Sequence, residues 1–250
     1  TLKPTPIVST HWLVFVDQWE PKSPWADRRV RLAANHAMDR QAVNEALTLG
    51  FSRITWSIIP QSFDFYWQPP AYPYHPARAK RLLAEAGYPN GFDAGDLWCD
   101  AATSAMSEAL AGYLQSAGIR VKIRPLERAA FFKGFQEKKL KNLVYALSGA
   151  FGNAATRLEN FTVAGGPYVY GSYPDIDGLF REQAVELDRK RREATLHRIQ
   201  QLVHDKAMFI PIWDCAVLQG VGTRVEEPGL GLLSGWPYWA PYEDLRLKAE

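Results

Sequence analysis

A chain of 250 residues that is 47% hydrophobic and 22% charged has enough apolar material for a sizeable core, in one large domain or two small ones. Its 29 basic and 27 acidic residues leave a net charge of +2, and the basic runs are short and separated (Arg28-Arg29, Lys138-Lys139, Arg189 to Arg192). This excludes the continuous basic footprint of a nucleic-acid binder, so the runs read as solvated helix faces.

No apolar run approaches the roughly 20 residues of a membrane-spanning helix. The opening TLKPTPIVST is polar and Pro-containing, with neither an initiator Met nor a signal-peptide pattern, and reads as the start of a mature product or an excised piece. Cys99 and Cys215 are the only cysteines. With no CxxC and no nearby His they make no metal site, and two separate buried thiols are expected in preference to a single bridge.

In chain order, His11 to Val16 reads as a strand. Asp27 is an N-cap for a helix carrying Val30, Ala33, Ala34, Ala37 and Met38 on one face. Asp39 caps a second helix through Val43 and Leu47, ended by Gly50. Residues 51–74, aromatic and Pro-rich, predict an irregular extended segment on the surface, with Trp56 and Tyr66 covering the outside or lining a cleft. His75-Pro76 opens a third helix, ended by Gly87.

A turn at YPNGF leads to a strand around 96–99, then to a helix through Met106, Leu110 and Leu114 that stops at Gly118. Ile119–Ile123 alternates apolar and basic residues as a half-buried strand does, and a helix from about Arg128 to Glu137 follows. The strand 143–147 then runs into a Gly-, Ala- and Asn-rich loop. Two further helices, marked by Ile176 to Leu187 and Leu196 to Val203, precede the β-rich run MFIPIWDCAVLQGV. Strands alternating with helices imply an α/β fold with no internal repeat.

Templates for chemistry fail. The five histidines show no metal-ligand spacing, no GxSxG elbow occurs, and GLGLLSG at 229–235 has the wrong glycine spacing for a nucleotide loop. No pair of carboxylates is marked as acid and base. The pattern favours binding over catalysis, with no cofactor and no metal, although a hydrolase with scattered carboxylates is an alternative.

Two segments carry a resemblance. DRRVRLAANHAMDRQAV (27–43) is similar to the D-x-R-V-R-x-A-x-x-x-A-x-D-R helix pair of the family 5 extracellular solute-binding proteins. YPYHPARAKRLLAEAGYPNGF (72–92) resembles their Y-P-Y-D-P-x-K-A-K-x-L-L-x-E-A-G-Y-P-x-G-F segment, with His75 in place of Asp. The later order of elements follows the family as well. The resemblance implies the C-terminal half of a two-lobed protein: a periplasmic binding protein-like type II lobe, a mixed sheet flanked by helices. It also implies a crossover strand at 1–20, the second α/β lobe at 21–225, and a C-terminal return segment at 226–250 toward the first lobe.

The implied function is that of an ABC importer's substrate-binding component in the periplasm, holding a peptide-like or other small polar solute and delivering it to an inner-membrane permease. A ligand-sensing domain of the same fold in a transcriptional regulator is the alternative. In peptide-binding members the strand matching 143–147 ends in a G-W-x-x-D loop at the cleft, whose Trp packs on the ligand and whose Asp pairs with its amino terminus. Here Gly149, Ala150, Phe151, Gly152 and Asn153 stand there. Ala replaces the Trp and Asn replaces the Asp, so the counter-charge for an amine is lost. The ligand-binding residues so implied are Gly149, Ala150, Phe151, Asn153, Thr156 and Arg157, the last available to a carboxylate if it points inward.

Overall fold

Residues 1–149, 152–233 and 240–248 are described by a computed structural model, the side chains of Pro6 and Val8 excepted. Strand β1 (Leu2–Phe15) is followed by helices α1 (Arg28–Ala37) and α2 (Arg40–Thr48), the short strand β2 (Arg53–Ile54) and α3 (Pro76–Glu85). Two β-α units follow, β3 (Phe92–Asp100) with α4 (Ser104–Ser116) and β4 (Ile119–Leu126) with α5 (Arg128–Gln136). Then come β5 (Leu143–Ser148), α6 (Ala154–Phe161), α7 (Pro174–Val185), α8 (Arg189–Asp205) and β6 (Phe209–Gly220). Short strands β7 (Val225–Glu227) and β8 (Arg246–Leu247) pair separately.

The main sheet has six strands in the order β2-β6-β1-β5-β3-β4. Strands β3, β4 and β5 are parallel, whereas β1 runs antiparallel to both β5 and β6. The period-2 pattern of β1 builds both faces of the protein. Leu13 and Phe15 point into a core shared with Val30 and Ala33 of α1, Leu83 of α3, and Leu110 and Leu114 of α4. Trp12 and Val14 point the other way, toward Phe131 and Phe135 of α5, Leu158 of α6, and Leu196 and Ile199 of α8. A sheet buried on both faces by helices is the mixed α/β lobe that the sequence implies.

Local signals set the helix starts. Asp27 and Asp39 accept from the Arg29 and Ala42 amides at 2.7 and 3.0 Å, as their N-cap assignment predicts. His75 accepts the Arg78 amide through Nδ1 at 3.2 Å, so the imidazole caps α3 where the family pattern has a carboxylate. Both cysteines are free, Cys99 buried and Cys215 half-buried.

The 51–74 segment departs from expectation. It is irregular apart from β2, but it is no mere outer cover: Ile58, Ile59, Phe63 and Phe65 are buried in the core beneath α6 and α8. Its backbone is anchored by Gln200 of α8, whose side chain accepts from the Trp67 amide and donates to the Phe65 carbonyl. Trp56 and Tyr66 are half-buried.

Buried arginines tie the elements together. Arg31 is 2% exposed and donates to the carbonyls of Trp25, Ala26, Lys206 and Ala207. Arg40, 4% exposed, donates to the Pro211 and Asn35 carbonyls and to Asn35 Oδ1. Burial lowers the pKa of Arg40 to about 10, still far above neutrality, so the cation persists and its fork is spent on carbonyls.

The YPNGF turn is held by a close approach of two glycines. Gly91 has φ +72°, and a Cβ there would meet the Gly118 carbonyl oxygen at 2.0 Å. Gly91→Ala is expected to destabilise the protein by at least about 2 kcal/mol, read as a lowered urea midpoint.

Candidate functional site

Because β3, β4 and β5 are parallel, their C-terminal ends Asp100, Leu126 and Ser148 reach one edge of the sheet. Register extends that edge: Ser148 faces Thr10 of β1, Thr10 faces Asp214 of β6, and Asp214 faces Arg53 of β2. The starts of α4, α5 and α6 lie just after these strand ends. Ligands of open α/β sheets bind outside the carboxyl ends of the strands, so this edge is the candidate site.

Two acidic groups anchor it. Asp214, 8% exposed, accepts from Thr10 Oγ1 at 2.8 Å and from Arg53 at 2.7 Å. Asp100, 5% exposed, accepts from the Ala102 amide at 3.1 Å and from Arg128 at 2.9 Å. Both arginines are more than half exposed at their side chains, 55% and 65%, so each reaches from a buried carboxylate toward solvent. A concavity of about 330 Å³ lies beside Arg53, Asp214 and Cys215. A second, of about 390 Å³, opens between α5 and α6 at the end of β5. Burial pushes the Cys215 thiol up to about 11, which keeps it protonated and unreactive at neutral pH.

Of the residues singled out from sequence, Ala150 and Phe151 lie outside the described residues. Gly149 lines the second concavity. Asn153 is the N-cap of α6, its Oδ1 accepting from the Thr156 amide at 3.3 Å, and both side chains are half-buried at the edge. Arg157 is neither solvated nor directed at a ligand. It is 2% exposed, donates to the Ile58 carbonyl at 2.9 Å and the Ser148 carbonyl at 3.2 Å, and stacks over Trp12 and Phe63. It holds the end of β5 at Ser148 against the 51–74 segment at Ile58.

The sequence reading did not single out Thr10, Arg53, Asp100, Arg128 or Asp214. Arg128 and Asp100 are 28 residues apart and Arg53 and Asp214 are 161 apart, so only the register brings each pair together.

Residues 3–168 match the family described as bacterial extracellular solute-binding proteins, family 5 Middle. The chain belongs to this family. Heme-binding protein A of Haemophilus influenzae is 29% identical over 204 residues, covering 76% of this chain but 37% of the relative. Glutathione-binding protein GsiB of Salmonella choleraesuis is 32% identical over 124 residues, covering 47% of this chain and 24% of the relative. The fold matches DppA of Helicobacter pylori, solved with the peptide STSA, at a TM-score of 0.81 and 22% identity over 100% of this chain and 49% of that one. It also matches NikA of Brucella suis, solved with Fe(III)-EDTA, at 0.80 and 20% identity, over 99% of this chain and 53% of that one. The chain thus spans about half the length of these two solved proteins, and less of the curated relatives.

The edge also carries a protonation signature. His11 is 5% exposed, with Nδ1 2.7 Å from the Tyr145 hydroxyl, and burial lowers its pKa to about 4. The folded state therefore keeps it neutral, while the unfolded chain takes up a proton near pH 6.5. Stability contributed by neutral His11 is present above that pH and is lost as pH falls toward about 4, on the order of 3 kcal/mol in all. Burial lowers His36 and His204 too, so they act with the same sign. Urea midpoints measured from pH 7 to 4 should fall steeply in the wild type and less steeply in His11→Gln.

Proposed function

We propose that this chain is one lobe of an ABC importer's substrate-binding component, holding a small solute outside the cytoplasmic membrane and presenting it to a permease without altering it. The observation that carries this reading is the common edge of the sheet, where the ends of β3, β4 and β5 meet Thr10, Asp214 and Arg53 from the antiparallel strands. Two concavities of a few hundred Å³ lie at or beside that edge, in the size range of small-molecule sites, roughly 300–1,000 Å³.

Beyond this edge the outer half of β1, from Leu2, pairs with β6 as far as Gly220, forming a ribbon that leads away from the lobe. A second lobe joined through such a ribbon closes on the solute by rotation about the connecting strands. Membership of the family, and relatives described as binding heme or glutathione, support binding over chemistry. Among the described residues no helix is long and apolar enough to cross a membrane.

In this reading one lobe supplies half of the contacts. The two-lobed protein should bind its solute, identified by mass spectrometry of what co-purifies with it, at micromolar affinity or tighter, while residues 1–250 alone bind it at least about a hundredfold more weakly. Equal affinity of the two would sink the closure model.

Asn153 accepts a hydrogen bond but carries no charge, and Asp caps a helix as well as Asn does. Asn153→Asp is therefore expected to leave the unfolding midpoint nearly unchanged and to improve binding of peptides with a free amino terminus. Titration calorimetry of the two-lobed protein with free and N-acetylated peptides checks this. An unchanged ratio of affinities would remove Asn153 from the cleft.

A further inference from the structure

Resting on that importer reading, the geometry points to the class of solute: a molecule that joins a planar apolar group to an anionic one, taken into the cavity between α5 and α6. This cavity of about 390 Å³ is walled by Phe131, Phe132 and Phe135 of α5, by Phe161 of α6, and by Tyr168. The rings buttress one another. Phe161 and Tyr168 are stacked at 5.0 Å and 12°, and Phe135 lies 4.9 Å from Tyr168. Phe161 is itself pinned edge-on by Trp12 at 4.9 Å. Walls locked in this way hold the shape of a flat guest better than freely rotating aliphatic side chains.

Among the described residues, the one charged side chain of the lining is a cation, paired on one side with Asp100. It is Arg128, with its guanidinium 5.0 Å above the Phe132 ring. One arm of the fork donates to Asp100, and among the described residues the guanidinium makes no other hydrogen bond. A guanidinium has five donors, so a carboxylate or phosphate at the mouth can be held by the outer arm while Asp100 keeps the inner one. Asp100 does not offer itself to a cation instead. It is 5% exposed, and its two oxygens are engaged by the Ala102 amide and Arg128.

Aromatic walls with a fixed cation at the rim favour an aromatic acid over an aromatic amine, and over an acid lacking the ring.

The two-lobed protein is titrated calorimetrically with N-acetyl-L-phenylalanine, N-acetyl-L-alanine and L-phenylalanine amide. The first is expected to bind at least about tenfold more tightly than either of the others. Phe132→Leu, which keeps most of the apolar volume, should erase most of the preference for phenylalanine over alanine. Arg128→Gln should weaken both acetylated probes about tenfold and leave the amide unchanged, with Arg128→Lys falling between. Thermal midpoints within a few degrees of wild type establish that the variants fold.

Equal binding of the three probes, or affinities untouched by these substitutions, overturns the inference. If the protein at the same time binds solutes of another class, the importer reading survives that result. If it binds no small solute, both readings fall.

Discussion

The pairing of β1 between β5 and β6 is the constraint on which the rest of the structure depends. Its register with β5 brings Thr10 to Ser148, and its register with β6 brings Thr10 to Asp214, so one residue of one strand aligns both halves of the edge. Because successive side chains of β1 enter opposite cores, a slip by one residue would exchange Trp12 and Val14 with Leu13 and Phe15 and ruin both at once. The edge is therefore held in place by about as strong a demand as a sheet can make. Across it Thr10, Asp214 and Arg53 are joined by hydrogen bonds that the same register sets up.

The segments that resemble family 5 most closely turn out to serve architecture. In 27–43, Asp27 and Asp39 are helix caps, and Arg31 and Arg40 are buried cations that close off carbonyls of other segments. In 72–92, His75 caps α3 and Gly91 permits the turn to touch Gly118. None of these lies at the carboxyl-terminal strand ends that form the candidate site. Family membership is thus readable from residues that say nothing about what is bound, and what is bound has to be argued from the edge itself.

Much of the fold was legible because its signals are local. Caps, apolar faces at helical spacing and terminating glycines depend on neighbours within four residues, and each helix so marked is present. The strands ran longer than read, β3 from Phe92 instead of near 96, because pairing with β4 draws flanking polar residues into the ladder. The 51–74 segment was misjudged for a related reason: Phe63 and Phe65 have no period to betray them, and α6 and α8 decide their burial. At the site, Arg157 read as available to a carboxylate, since nothing in sequence foretells that the Ile58 carbonyl lies within its reach. The partnerships of Arg128 and Asp100, and of Arg53 and Asp214, were invisible for want of contact in sequence.

Arg157 has a mechanical consequence. One of its arms grips the Ile58 carbonyl and the other the Ser148 carbonyl, so the 51–74 segment and the end of β5 share a single strut. Stacked on Trp12 and Phe63, the strut has little room to swing. The end of β5 and Ile58 are thereby tied: neither carbonyl can shift away from the guanidinium without moving the other or giving up a hydrogen bond.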